Sequence, residues 1–126
     1  MERKKLVLVI EDDPFYANIY RMKLEKEGIS AEVAMNGDAG FAIAQKEKPV
    51  LILTDLIMPG KDGFEILREL KADPILRDVP VIVLSNLSQE EDMRRAKELG
   101  AAEYLVKANI SIQDVIEKVK GHLAVA

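Results

Sequence analysis

Four short apolar runs set the terms for how this chain can fold: Leu6–Ile10, Val50–Leu53, Val81–Leu84 and Tyr104–Val106. In each, aliphatic residues occupy consecutive positions instead of alternating with polar ones. A strand with one wet face alternates, whereas a strand covered on both faces does not, so these runs read as strands of a parallel sheet buried between layers. A weaker fifth run, Ala31–Ala34, reads as a strand nearer an edge.

Helical segments separate the runs. Over Pro14–Lys26, Phe15 pairs with Ile19 and Tyr20 with Leu24 at i,i+4 spacing, and Gly28 stops the pattern. An aspartate before Pro14, Asp12 or Asp13, suits its N-cap. Asp38–Lys46 follows a turn at Asn36-Gly37 and ends before Pro49. Phe64, Leu67 and Leu70 carry a third helix after Gly63, closed at Asp73-Pro74. Ser88 with Glu91 reads as a capping box opening a fourth helix that runs to Leu99-Gly100. Ser111 with Asp114 repeats that signal before Val115, Ile116 and Val119. Five βα repeats imply right-handed crossovers and an open parallel sheet with helices on both faces. The expectation is one three-layer α/β domain over residues 1–126, without repeats or linkers.

Composition narrows the function. The hydrophobic share, 48% of 126 residues, allows a core that needs no metal or disulfide staple. A net charge of −4, from 18 basic and 22 acidic residues, argues against sequence-independent nucleic-acid binding. No cysteine is present, which removes disulfides, thiolate metal sites and cysteine nucleophiles. The one histidine, His122, leaves no second imidazole for a His-rich metal site and reads as an exposed helical residue. Met22, Met35, Met58 and Met93 read as packing or loop residues. Arg3 to Lys5 reads as a solvated flank. No signal peptide or membrane span is legible, so a cytoplasmic protein without a membrane partner is expected.

In open α/β sheets, ligands bind beyond the carboxyl ends of the strands, where strand order reverses. The residues expected there are Glu11-Asp12-Asp13, Thr54-Asp55, Ser85-Asn86 and Lys107. Crowded carboxylates raise one another's pKa unless a cation neutralises them, and hard oxygen ligands suit Mg²⁺. An aspartate can attack phosphorus to form an acyl phosphate, and the oxygens of the transferred group then call for a metal, a lysine and a hydroxyl. Acidic residues after a strand are often only helix caps, but that reading does not account for all four strand ends.

These positions closely resemble the receiver (response-regulator, CheY-like) domain of two-component signalling, over Leu6 to Leu123. The resemblance implies a flavodoxin-like (βα)5 fold with strand order 2-1-3-4-5. It also implies Asp55, within Leu53-Thr-Asp-Leu-Ile-Met-Pro-Gly60, as phosphoacceptor. Asp12 would contact Mg²⁺ directly, Glu11 through water, and the Ile57 carbonyl would complete the protein's share of the metal shell. Ser85 matches the switch hydroxyl, Tyr104 the switch aromatic and Lys107 the active-site lysine, while Pro59, Gly60 and Gly63 match the loop after the phosphoacceptor. Three positions depart: Glu11 where aspartate is commoner, Ala108 where proline and a cis peptide are usual, and Asn86 where a small residue is usual.

The function so implied is a signalling receiver, not a turnover enzyme. It would take a phosphoryl group from a sensor histidine kinase, a phosphotransfer protein or a small phosphodonor. In the acyl phosphate, Ser85 would move inward and Tyr104 would rotate into the space vacated, changing the surface of helix 4, strand 5 and helix 5. With no output domain after Ala126, output would come from a partner, self-association or domains outside this chain. Competing readings are a pseudo-receiver interaction module and an Asp-dependent phosphatase of the haloacid-dehalogenase type. The phosphatase needs a second acid where Ile57 stands. Ile57 and Leu87 would also overlook the path of a hydrolytic water, and neither can orient one.

Overall fold

Five parallel strands alternate with five helices along the chain: β1 (Leu6–Ile10), α1 (Pro14–Lys26), β2 (Ser30–Ala34), α2 (Gly37–Glu47), β3 (Leu51–Thr54), α3 (Gly63–Ala72), β4 (Val81–Ser85), α4 (Glu90–Glu98), β5 (Glu103–Val106) and α5 (Ile112–Val125). The computed structural model of the protein describes residues 5–125, so Arg3 and Lys4 of the basic flank lie outside the described residues. The sheet runs β2-β1-β3-β4-β5, which makes Ser30–Ala34 an edge strand as its weaker pattern suggested. This is the flavodoxin-like order.

Consecutive apolar residues split cleanly between the two sheet faces. Leu8 and Ile10 of β1 join Ile52, Val81 and Val83 in a core capped by Ala44 of α2, Phe64, Leu67 and Leu70 of α3, and Ala96 of α4. Val7 and Val9 turn the other way, with Leu51, Leu53, Ile82 and Leu84, against Tyr20 and Leu24 of α1 and Val115, Ile116 and Val119 of α5. Burial of this kind is worth about 1.5–3 kcal/mol per large aliphatic side chain. It explains why the runs need no polar alternation.

Side-chain caps begin four of the helices. Asp13 accepts from the Phe15 N–H at 2.9 Å, Asn36 from Ala39 at 2.8 Å and Asp62 from Glu65 at 2.9 Å. Asp13, not Asp12, is therefore the cap of α1, and Asp12 is free for other work. The Ser111 hydroxyl accepts from Asp114 at 3.0 Å, as its sequence signal implied. Ser88 does not cap α4: that helix starts one residue after Gln89, which makes no side-chain cap bond. The first turn of α4 is all acidic, Glu90, Glu91 and Asp92, and these charges favour a helix N-terminus without a capping hydroxyl.

His122 is half-buried instead of exposed. It sits at the end of the sheet away from the acidic residues, bonded through Nε2 to Glu103 Oε2 at 2.6 Å, while Lys118 reaches Oε1 of the same carboxylate at 3.2 Å. Partial burial pushes Glu103 up, but the bonds from His122 and Lys118 outweigh it and hold the carboxyl below its ordinary value. The pairing arises from β5–α5 packing and has no signal in local sequence. No helix among the described residues is long and apolar enough to cross a membrane.

Candidate functional site

Strand order reverses between β1 and β3, and the acidic residues gather at the carboxyl ends of those two strands. Among the described residues, the buried polar or charged side chains are Glu11, Thr54, Asp55 and Ser85, at the ends of β1, β3 and β4. A charge is buried only where it is paired, and polar burial confined to one edge marks a built site.

The pairing runs through Lys107, which opens a short 3₁₀ turn (Lys107–Asn109) after β5. Its ammonium donates to Asp55 Oδ2 at 2.9 Å and to Glu11 Oε1 at 2.5 Å. The lysine side chain is 7% exposed. Burial works against the lysine's charge, but the bonds to Glu11 and Asp55 prevail and hold it protonated above its usual range. Burial likewise lifts Glu11 above the ordinary glutamate value, despite Lys107 and the Asp13 N–H beside it. One ammonium thus faces three carboxylates, Glu11, Asp12 and Asp55, whose oxygens lie within 4.8 Å of one another.

Backbone geometry aims Asp55. Its N–H donates to Ile10 O at 3.1 Å, tying the end of β3 to β1, and the Thr54 hydroxyl donates to the Asp55 carbonyl at 2.9 Å. The Asp55 Oδ1 accepts from the Leu56 and Ile57 N–H groups at 2.6 and 3.3 Å. The loop can pass so close because Gly63 carries no Cβ: one there would lie 2.3 Å from the Asp55 carbonyl oxygen.

The acidic trio fits a hard divalent cation by its chemistry. Asp12 is partly exposed, and its carboxylate takes no hydrogen bond among the described residues, so it is the ligand most available to a metal. Glu11 belongs to the same trio, its Oε1 accepting from the Lys107 ammonium and its Oε2 from the Asp13 N–H at 3.1 Å. Ile57, two residues past Asp55, is 58% exposed, with its side chain turned outward.

Ser85 and Tyr104, the expected switch pair, are also brought together. The Ser85 hydroxyl, wholly buried, accepts from the Leu87 N–H at 3.2 Å. The Tyr104 hydroxyl donates to the Leu87 carbonyl at 2.6 Å. Tyr104 is only 8% exposed, its ring buried beside the loop that follows β4. Asn86 is exposed and does not crowd the loop. No cis peptide occurs among the described residues, so the bond after Lys107 is trans.

Sequence reasoning missed two participants. The Leu87 backbone joins Ser85 to Tyr104, a link carried by main-chain atoms that no residue type advertises. Tyr16 places its ring against Lys107, with Nζ 4.7 Å from the centroid. Nothing in the α1 pattern separates this tyrosine from an ordinary amphipathic one.

Comparison with known proteins places this geometry. A family model described as the response regulator receiver domain matches residues 7–120. Protein PilH of Pseudomonas aeruginosa is 38% identical over 80% of this chain and 84% of its own length. The DNA-binding dual master transcriptional regulator RpaA of Synechocystis is 32% identical over 93% of this chain. The chain spans 48% of that relative's length and 14% of another curated relative's. The solved receiver domain of Francisella response regulator 1452 matches with a TM-score of 0.86 at 31% identity, covering 94% of this chain and 96% of that one. Receiver domains take Mg²⁺ at an acidic pocket such as the one formed by Glu11, Asp12 and Asp55. This chain belongs to the response-regulator receiver family of two-component signalling, whose members are phosphoacceptors.

Proposed function

We propose that the chain is one receiver domain over residues 1–126, that Asp55 is its phosphoacceptor, and that it acts as a switch instead of a turnover enzyme. A sensor histidine kinase, a phosphotransfer protein or a small phosphodonor would supply the phosphoryl group. The observation that supports this best is the buried Lys107 ammonium 2.9 Å from Asp55 Oδ2, at the crevice where strand order reverses. An Asp55 carboxylate oxygen forms a bond to phosphorus while the bond from phosphorus to the donor breaks, the donor keeping the electron pair. Lys107 then pairs with a phosphoryl oxygen, and the Leu56 and Ile57 N–H groups keep the aspartyl carbonyl oriented. Mg²⁺, held by Asp12, Asp55 and the Ile57 carbonyl with Glu11 behind them, would supply positive charge to the phosphoryl oxygens. Ser85 would hydrogen-bond that group and pull on the Leu87 loop, which Tyr104 already clasps, so the signal reaches the α4–β5–α5 surface. Output through a partner or through self-association is compatible with this surface.

Intact mass after incubation with acetyl phosphate tests the reading: one phosphoryl adduct is expected with Mg²⁺ and none in chelator. Steady turnover of a phosphate ester would instead favour the phosphatase, and no adduct under any condition the pseudo-receiver.

Metal binding carries its own expected outcome. A ligand bound only by the folded state raises stability, by about 2.7 kcal/mol at a hundredfold excess over Kd. Millimolar Mg²⁺ should raise the melting temperature, and Asp12→Ala should remove most of the rise. An equal rise in the variant would put the metal elsewhere.

The lifetime of the phosphorylated state should be long. Ile57, two residues past Asp55, and Leu87, two past Ser85, are aliphatic and cannot orient a water. Replacing both with polar groups, Ile57→Asn with Leu87→Glu, should shorten the half-life of the adduct about tenfold, since orientation supplies much of phosphoryl-transfer catalysis. Equal half-lives at saturating Mg²⁺ would contradict it.

A further inference from the structure

We propose that Tyr16 is a positioning residue for Lys107: its ring face holds the ammonium at the phosphoacceptor while the charges around Asp55 change. This rests on the reading of Asp55 and Lys107 given above. A lysine ammonium is a compact charge with three donors on a flexible four-carbon stem, so it has no shape of its own to fix its direction. Lys107 starts beyond β5 and must reach past the ends of β4 and β3 to meet Glu11 at the end of β1. Glu11 and Asp55 each occupy one side of the ammonium, at 2.5 and 2.9 Å. The Tyr16 ring occupies another, 4.7 Å from Nζ to centroid. A cation within about 6 Å of an aromatic face is attracted by the ring quadrupole, more so when withdrawn from water.

The ring itself is held. Tyr16 stands in the first turn of α1, just after the acidic residues it serves. Its ring stacks on Tyr20 at 6.0 Å with an interplanar angle of 24°, and Phe15 meets it edge-on at 5.4 Å. Tyr20 is 2% exposed, so the stack is founded on the core between α1 and the sheet. Phosphorylation moves negative charge from Asp55 outward onto phosphoryl oxygens. Glu11 stays behind and competes for the same ammonium, while the ring carries no charge that changes. It braces Lys107 without trapping it. The hydroxyl has no part in this, so phenylalanine should serve as well.

The test compares wild type, Tyr16→Phe and Tyr16→Leu, each with ¹³C-labelled lysine. The Lys107 ε-methylene proton resonances should be shifted upfield by the ring current in wild type and Tyr16→Phe, and should return to the ordinary lysine position in Tyr16→Leu. With acetyl phosphate and Mg²⁺, Tyr16→Leu should take up the phosphoryl group about five- to tenfold more slowly, with Tyr16→Phe within about twofold of wild type. In a Lys107→Ala background, Tyr16→Leu should add no further loss. An unshifted Lys107 signal in wild type overturns the proposal without any variant, so a poorly folded Tyr16→Leu does not protect it. Uptake by Tyr16→Leu at the wild-type rate overturns it, as does an undiminished loss in the Lys107→Ala background, which would mark Tyr16 as packing alone. A wild-type protein that takes up no phosphoryl group, but keeps the shifted Lys107 signal, would defeat the phosphoacceptor reading and reduce Tyr16 to a structural contact.

Discussion

Lys107→Ala should destabilise the metal-free protein by about 3 kcal/mol and make its stability steeply dependent on Mg²⁺. The lysine is the cation that lets Glu11 and Asp55 be 3% and 9% exposed so close together. Without it, two buried carboxylates repel each other and Asp12, and neither can turn to water without opening the β1–α1 or β3–α3 loop. Removing one partner of a buried pair costs far more than the pair itself contributes, because the remaining charge keeps its desolvation penalty. A divalent cation on the trio would restore most of the loss, so the gap between variant and wild type should narrow as Mg²⁺ rises. Urea unfolding with and without Mg²⁺ measures both effects. A loss under about 1 kcal/mol that ignores Mg²⁺ would mean that the ammonium is not what balances the site.

Gly63→Ala should cost about 3 kcal/mol or more and should also abolish phosphoryl uptake. The added Cβ would lie 2.3 Å from the Asp55 carbonyl oxygen and 2.6 Å from the Leu56 Cα. Both are backbone atoms, so no side-chain rotation relieves the clash. Either α3 backs away from the sheet, losing the packing of Phe64 and Leu67, or the loop moves and takes Asp55 with it. Gly121→Ala is the control: it lies in α5 with nothing within 4 Å of the added carbon, and alanine is the better helix former. It should be neutral or stabilising by up to about 1 kcal/mol. Similar losses in the two variants, by thermal unfolding, would contradict the close-approach argument.

The fold was legible because consecutive apolar residues and strand-to-helix alternation are local signals that topology does not overrule. Leu6–Ile10 and Pro14–Lys26 have the bounds their patterns implied. Ser88 failed as a cap because three acids in the first turn of α4 stabilise the helix end without it. The candidate site was legible as residue types at strand ends, since parallel strands place all their carboxyl ends on one edge. Its wiring was not. That Glu11 turns onto Lys107, that Leu87 joins Ser85 to Tyr104 through its backbone, and that Tyr16 lies against the ammonium all depend on contacts between residues distant in sequence. His122 escaped for the same reason, its partner Glu103 lying on a strand instead of its own helix.

The central claim, that Asp55 carries the signal, is tested most directly by comparing wild type with Asp55→Asn after incubation with acetyl phosphate and Mg²⁺. Intact mass followed by peptide mapping should find one phosphoryl group in wild type, on the peptide containing Asp55, and none in Asp55→Asn. An adduct of equal yield in Asp55→Asn, or one mapped to another residue of the wild-type protein, would contradict the account.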